Sequence, residues 1–302
     1  MTIDTHISDN SNPDRYQLSC LEVWGGSSAA DHHATVPGLN IHVHARPIGD
    51  AQGGDLYLIS SCSSGWISRM LLADVAGHGQ AVSHLSSQLR KAMHKSINTV
   101  DQSKLAKTLN KSFDEFSSGS KFATALFMTY FAPSGHLVLV NAGHPPPLIC
   151  RSGQTSWVPV DTHHQDIITS SNRTSMKSLS NLPLGVIRST EYEQIAIAFN
   201  EGDQICAYTD AYIEAITDDH QTLGMDGFAE ILSRISNNKV APEEYSESIA
   251  QEIKARGYAI ADDDHTLLCF QHNGQRSGGV DFDTVKNYIK NTFGFGHIDT
   301  LA

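Results

Sequence analysis

Four aspartates stand where a carboxylate could do chemistry: Asp55 in GGDLY, Asp74 in LLADVAGHG, Asp210 in AYTDAYIEA and Asp263 in ADDDHTLL. Each lies beside a small residue, where strand-like sequence gives way to a loop. A carboxylate at a strand end projects into a cleft from a rigid support, and flanking glycine lets the backbone approach an ion or offer it a carbonyl oxygen. Such oxygen ligands suit hard divalent cations, Mg²⁺ or Mn²⁺. A pair of these ions about 3.5–4 Å apart can activate a water while neutralising a phosphate. Any one of these aspartates alone reads more readily as a solvated turn former. Four together, with no salt-bridge pattern to absorb them, weaken that reading.

Other chemistries find less support. G-x-S-x-G does not occur, so no nucleophile elbow is present. The five cysteines (Cys20, Cys62, Cys150, Cys206, Cys269) are odd in number, scattered and never spaced C-x-x-C, which suggests neither a disulfide framework nor a zinc ribbon. His32-His33, His42 with His44, and His163-His164 lack a third clustered ligand and read as surface or loop histidines rather than zinc ligands.

The elements that would hold the aspartates follow from periodicity. Residues 39–73 alternate in strand fashion, enough for three or four strands, and strand character returns at 122–131, 137–140, 195–199, 204–208 and 266–270. Helical spacing appears in Val82, Leu85, Leu89, Ala92, Met93 and Ile97, and in Leu105, Leu109, Phe113 and Phe116. It recurs in Phe228, Ile231, Leu232 and Ile235, and in Tyr245, Ile249 and Ile253. Runs of strands with helix pairs, instead of strict alternation, argue for a layered α+β domain. The polar stretch 161–181 is either a disordered insert or a flap over a site.

The expected organisation is an N-terminal extension over 1–38, a domain over 39–272, and a linker with a short amphipathic segment over 273–302. The extension begins as a polar tail and then has Leu21, Val23 and Trp24 as a brace without period. The last segment carries Phe282, Val285, Tyr288, Ile289 and Phe293 on one face. With 33 acidic against 21 basic residues, the net charge of −12 repels nucleic-acid backbones and anionic lipid. No window is apolar enough to cross a bilayer and no signal peptide opens the chain, so a cytoplasmic setting is expected.

Taken in order, GGDLY (53–57), ADVAGHG (73–79), FATALF (122–127), NAGHPPPLI (141–149), LPLGV (182–186), EGDQICAYTDAYIEA (201–215) and DDHTLL (263–268) resemble the metal-dependent protein phosphatase 2C (PPM) superfamily. More narrowly, they resemble its bacterial SpoIIE/RsbU-like branch. Each motif alone is weak; seven in the expected order over residues 39–271 are specific. The resemblance implies an αββα sandwich of two antiparallel sheets flanked by helix pairs, a centre of two Mn²⁺ or Mg²⁺ ions, and hydrolysis of phosphoserine or phosphothreonine on a protein by metal-activated water. By position, Asp55 and Asp74 would face both ions, Val75 would offer its carbonyl, and Asp210 and Asp263 would hold the second ion. Asp264 is a neighbouring candidate within the run 262–264.

Two histidines of these motifs, His78 and His144, would act either as a general acid or by organising their loops. The family's YTDG step stands here as Tyr208-Thr209-Asp210-Ala211. A left-handed backbone at 211 would cost an alanine on the order of 1 kcal/mol and could displace Asp210. The resemblance also implies a partner: a phosphorylated regulatory protein resembling an anti-sigma-factor antagonist, with a separate sensor or regulator and a homodimer left open. Two rivals share the fold: a pseudophosphatase that grips a phosphoprotein without turnover, and a hydrolase of small phosphate esters.

Overall fold

The computed structural model describes residues 15–275 apart from 18–22, 49–52, 63–64, 78–79, 97–98, 118–120, 162–163, 170–179, 239, 241 and 261. Two seven-stranded sheets lie face to face. The first runs in the order β1 (Arg15–Gln17), β3 (Ala30–Val36), β4 (Leu39–Arg46), β14 (His265–His272), β13 (Gln204–Tyr208), β9 (Leu148–Cys150) and β10 (Val158–Pro159). The second runs β11 (Ile168–Thr169), β12 (Gln194–Ala198), β8 (His136–Ala142), β7 (Ala123–Phe131), β6 (Ile67–Val75), β5 (Leu56–Cys62) and β2 (Val23–Gly26). Every pairing is antiparallel except the parallel β1–β3 contact at one edge.

Helices α1 (Gln80–Ser96) and α2 (Gln102–Ser117) cover the outer face of the second sheet, and α3 (Gly224–Asn237) and α4 (Tyr245–Ala255) cover that of the first. Burial on both faces explains why the strands read as nearly unbroken apolar runs. In β6, Met70 and Leu72 point between the sheets while Leu71 and Ala73 meet α1 and α2. In β14, Leu268 and Phe270 face inward while Leu267 and Cys269 lie under α3 and α4. The helices present the stripes expected from spacing: Leu85, Leu89, Leu105, Leu109 and Phe113 on one side, Phe228, Ile231, Ile249 and Ile253 on the other. Asp101 opens α2, its Oδ1 accepting the Lys104 amide at 3.0 Å.

The αββα sandwich is thus the expected architecture, with three strands earlier than expected. Strands precede Leu39: β1 and β2 lie on the sheet edges, and β3 pairs with β4 over seven residues and buries Ala30, Ala34 and Val36 between the sheets. Within the polar stretch 161–181, Ile168–Thr169 forms β11 on the edge of the second sheet, and 170–179 lie outside the described residues. The amphipathic segment 282–293 and the side chains of Leu21, Val23 and Trp24 lie outside them as well.

Candidate metal centre

Antiparallel pairing brings the four aspartates to one end of the sandwich. Asp55 immediately precedes β5 and Asp74 stands near the end of its partner β6, opposite Thr124 of β7. Asp210 opens a short 3-10 turn directly after β13, and Asp263 lies two residues before its partner β14. Each sheet therefore supplies two carboxylates. Thr209 connects the pairs: its hydroxyl donates to Asp55 Oδ2 at 2.9 Å and accepts the Thr266 amide at 2.9 Å.

The turn Gly53-Gly54 brings backbone close to the carboxylates. A Cβ on Gly54 would sit 2.9 Å from the Val75 carbonyl oxygen, whose own amide donates to Gly54 O at 3.3 Å. Asp264 folds over this turn and accepts the amides of Gly54 and Ile48, the latter at 2.6 Å. Asp263 instead stays exposed, its Oδ1 accepting the Asp264 amide at 2.8 Å. Of the two neighbours, Asp264 is engaged in holding the turn and Asp263 is the one whose charge acts on Asp210.

Electrostatics single out the same cluster. Burial, then the charge of Asp74, pushes the Asp55 carboxyl well above the carboxylate range, against hydrogen bonds from Thr266 and Thr209. Asp74 is pushed up to about 7 by burial and by Asp210, Asp263, Asp264 and Glu214. Burial and Asp263 raise Asp210. Burial, then Asp210 and Asp263, raise Glu214, four residues after Asp210 in the same motif and not singled out from the sequence. Among the described residues, the leading influences on these four carboxyls include no lysine or arginine. Partly buried like charges without a cation are unfavourable until something positive compensates them.

Among the described residues no three His, Cys, Asp or Glu side chains converge on one coordination point. The donor set is nevertheless all oxygen: carboxylates from both sheets and a backbone carbonyl beside glycine. That chemistry fits Mg²⁺ or Mn²⁺ and does not fit a soft metal.

Ala211 lies inside the 3-10 turn, buried, and its φ is not among the positive ones. The left-handed strain considered for this position does not arise. His144 is buried, and that burial lowers its pKa to about 3. Its Nδ1 pairs with Thr124 Oγ1 at 2.9 Å, while the Asn141 side chain holds both its amide and its carbonyl at 2.8 Å. A neutral imidazole so placed organises the NAGH turn and is poorly suited to give up a proton near neutral pH. His78 and His163 lie outside the described residues. His33 and His42 face each other across β3 and β4 with their Nδ1 atoms in contact, and His44 pairs with Asp31 at 3.4 Å, so the histidine pairs are strand-face residues.

A family model described as Stage II sporulation protein E (SpoIIE) matches residues 67–273. Among solved structures, the RsbU and RsbW domains of a Mycobacterium tuberculosis protein share 24% identity at a TM-score of 0.63, covering 85% of this chain and 68% of that one. The SiaA-PP2C domain of Pseudomonas aeruginosa shares 18% at 0.60, covering 77% and 86%. RsbX, solved in complex with magnesium, shares 12% at 0.54, covering 81% and 100%. No curated protein matches in sequence. These structures share the fold, and the family model spans β6 to β14 with Asp74, Asp210 and Asp263. The chain belongs to the SpoIIE family of PP2C-type, metal-dependent serine/threonine phosphatases.

Proposed function

We propose that the chain is an active phosphatase whose substrate is a phosphoserine or phosphothreonine of a small regulatory protein, of the anti-sigma-factor-antagonist type suggested by the family. Asp55, Asp74, Asp210 and Asp263, with the Val75 carbonyl, would hold two Mn²⁺ or Mg²⁺ ions. Such ions neutralise phosphate charge and lower the pKa of water toward neutrality. The chain's part is to present oxygen ligands from two sheets at a fixed spacing. Asp55 is fixed by Thr209, Asp74 by the β6–β7 pairing, Asp210 by its 3-10 turn and Asp263 by its position just before β14. No side-chain nucleophile is needed. A separate sensor or regulator would control it.

The observation that carries this reading is the chain of raised carboxyls at one end of the sandwich: Asp55 by burial and Asp74, Asp74 by burial and Asp210, and Asp210 by burial and Asp263. The test is phosphate release from p-nitrophenyl phosphate and from a phosphothreonine peptide with Mn²⁺, Mg²⁺ or EDTA, beside Asp210→Asn. Metal-dependent turnover that the variant loses is expected. A wild-type chain that binds Mn²⁺ in calorimetry yet turns over neither compound would be a pseudophosphatase. Turnover of the small ester alone would make it a hydrolase of small phosphate esters.

A further inference from the structure

We infer that Thr209 is a positioning residue for Asp55, and that its hydroxyl group sets how tightly the centre takes up Mn²⁺ or Mg²⁺; this rests on the metal reading of the centre given above. Thr209 follows β13 directly and is fully buried, as is Thr266 on the neighbouring β14. The two residues are already joined through the backbone, the Thr209 amide donating to the Thr266 carbonyl at 3.1 Å. The side chain adds a second link. Its oxygen accepts the Thr266 amide at 2.9 Å, and its single proton goes to Asp55 Oδ2 at 2.9 Å, the Thr266 carbonyl at 3.5 Å being the longer alternative.

Asp55 belongs to the other sheet, so this hydroxyl is a polar tie between the two layers at the end where the carboxylates gather. Asp55 is buried there, and the side-chain hydroxyls that hydrogen-bond it are those of Thr209 and Thr266, of which Thr209 also ties it to the backbone of the other sheet. A donor that fixes one oxygen of a carboxylate fixes the plane of the whole group, and with it the direction in which an ion is met. Partners of this kind typically govern metal affinity by about 10- to 100-fold. The methyl group of Thr209 plays no part in this.

A merely structural role would lower the melting temperature and leave the affinity of the folded protein for metal unchanged. The experiment therefore measures Mn²⁺ binding by calorimetry and by the electron-spin-resonance signal of free Mn²⁺, on full-length protein shown to be folded by circular dichroism. Thr209→Val removes the hydroxyl at nearly constant volume and should raise the Mn²⁺ Kd about 10- to 100-fold. Thr209→Ser keeps the hydroxyl and should bind as the wild type does. Equal binding by wild type and Thr209→Val would overturn the inference, as would a loss in Thr209→Ser matching that in Thr209→Val. Should Thr209→Val fail to fold, Thr209→Ala makes the same comparison without added bulk. Failure of the wild-type chain itself to bind either ion is a different result, and it overturns the metal reading of the whole centre.

Discussion

A Cβ added to Gly53 would fall 2.5 Å from Oδ2 of Asp264. The carboxylate occupies the space that any side chain at position 53 would need, and from there it accepts the amides of Gly54 and Ile48. Glycine is required here for close approach. Gly53→Ala should push Asp264 off the turn, costing about 1–3 kcal/mol in urea denaturation and weakening Mn²⁺ binding through the displaced Gly54 and Asp55. A loss below about 0.5 kcal/mol would show that the carboxylate swings aside freely.

The charge cluster that makes the centre fit a cation should make it costly without one. Asp74 is opposed by Asp210, Asp263, Asp264 and Glu214 at once. In EDTA at pH 8, Asp74→Asn should therefore melt higher than the wild type, by a margin worth on the order of 1–2 kcal/mol. Saturating Mn²⁺ should reverse the order: at a hundredfold excess over Kd the wild type gains about 2.7 kcal/mol, and the variant little. Paired melts with and without Mn²⁺ read both signs. A variant less stable than wild type in EDTA would mean that the repulsion is already relieved in the metal-free protein.

Acid sensitivity should have a component from His144. Its folded pKa, about 3, lies below the ordinary value of 6.5 because burial disfavours the imidazolium. Below 6.5 the unfolded chain takes up the proton and the folded one does not. The contribution is thus complete above pH 6.5 and is lost as pH falls toward 3, at up to roughly 1.4 kcal/mol per pH unit. His144→Gln should be less stable at pH 8, having lost the Thr124 contact, yet show a shallower decline between pH 6 and 4. Parallel stability–pH curves for the two proteins would contradict this.

Much of this architecture was legible because burial on both faces writes itself into the sequence as apolar runs and paired helical stripes. Leu267 to Phe270 and Leu85 to Met93 are examples. β3 was not, since His32, exposed on the side of the strand that Ala30, Ala34 and Val36 bury, interrupts its alternation, although Pro37-Gly38, with Gly38 at φ 85°, is an ordinary turn signal before β4. The aspartates could be read as ligand candidates from type and neighbourhood. Thr209 could not, because a threonine beside an aspartate carries no pattern until two sheets are stacked and its hydroxyl meets Asp55. Nor could sequence separate Asp263 from Asp264: that difference lies in which carboxylate reaches the amides of a turn some 210 residues away.

Helix α1 should report on the centre. It begins five residues after Val75, and the single proton of its Ser86 hydroxyl is shared between the Gly54 carbonyl at 3.1 Å and Val82 O at 3.0 Å within the helix. Gly54 O also receives the Val75 amide, so one carbonyl joins α1, the end of β6 and the turn that carries Asp55. Whatever steadies Asp55 and Asp74 must steady this junction, and Ser86 passes that on to α1. Amide exchange over the first half of α1 should slow on adding Mn²⁺, and Ser86→Ala should abolish most of that slowing while leaving exchange in α3 unchanged. Exchange in α1 that ignores Mn²⁺ in the wild type would mean that the helix only packs on the sheet. Slowing that survives in Ser86→Ala would shift the coupling to the 75–80 connection.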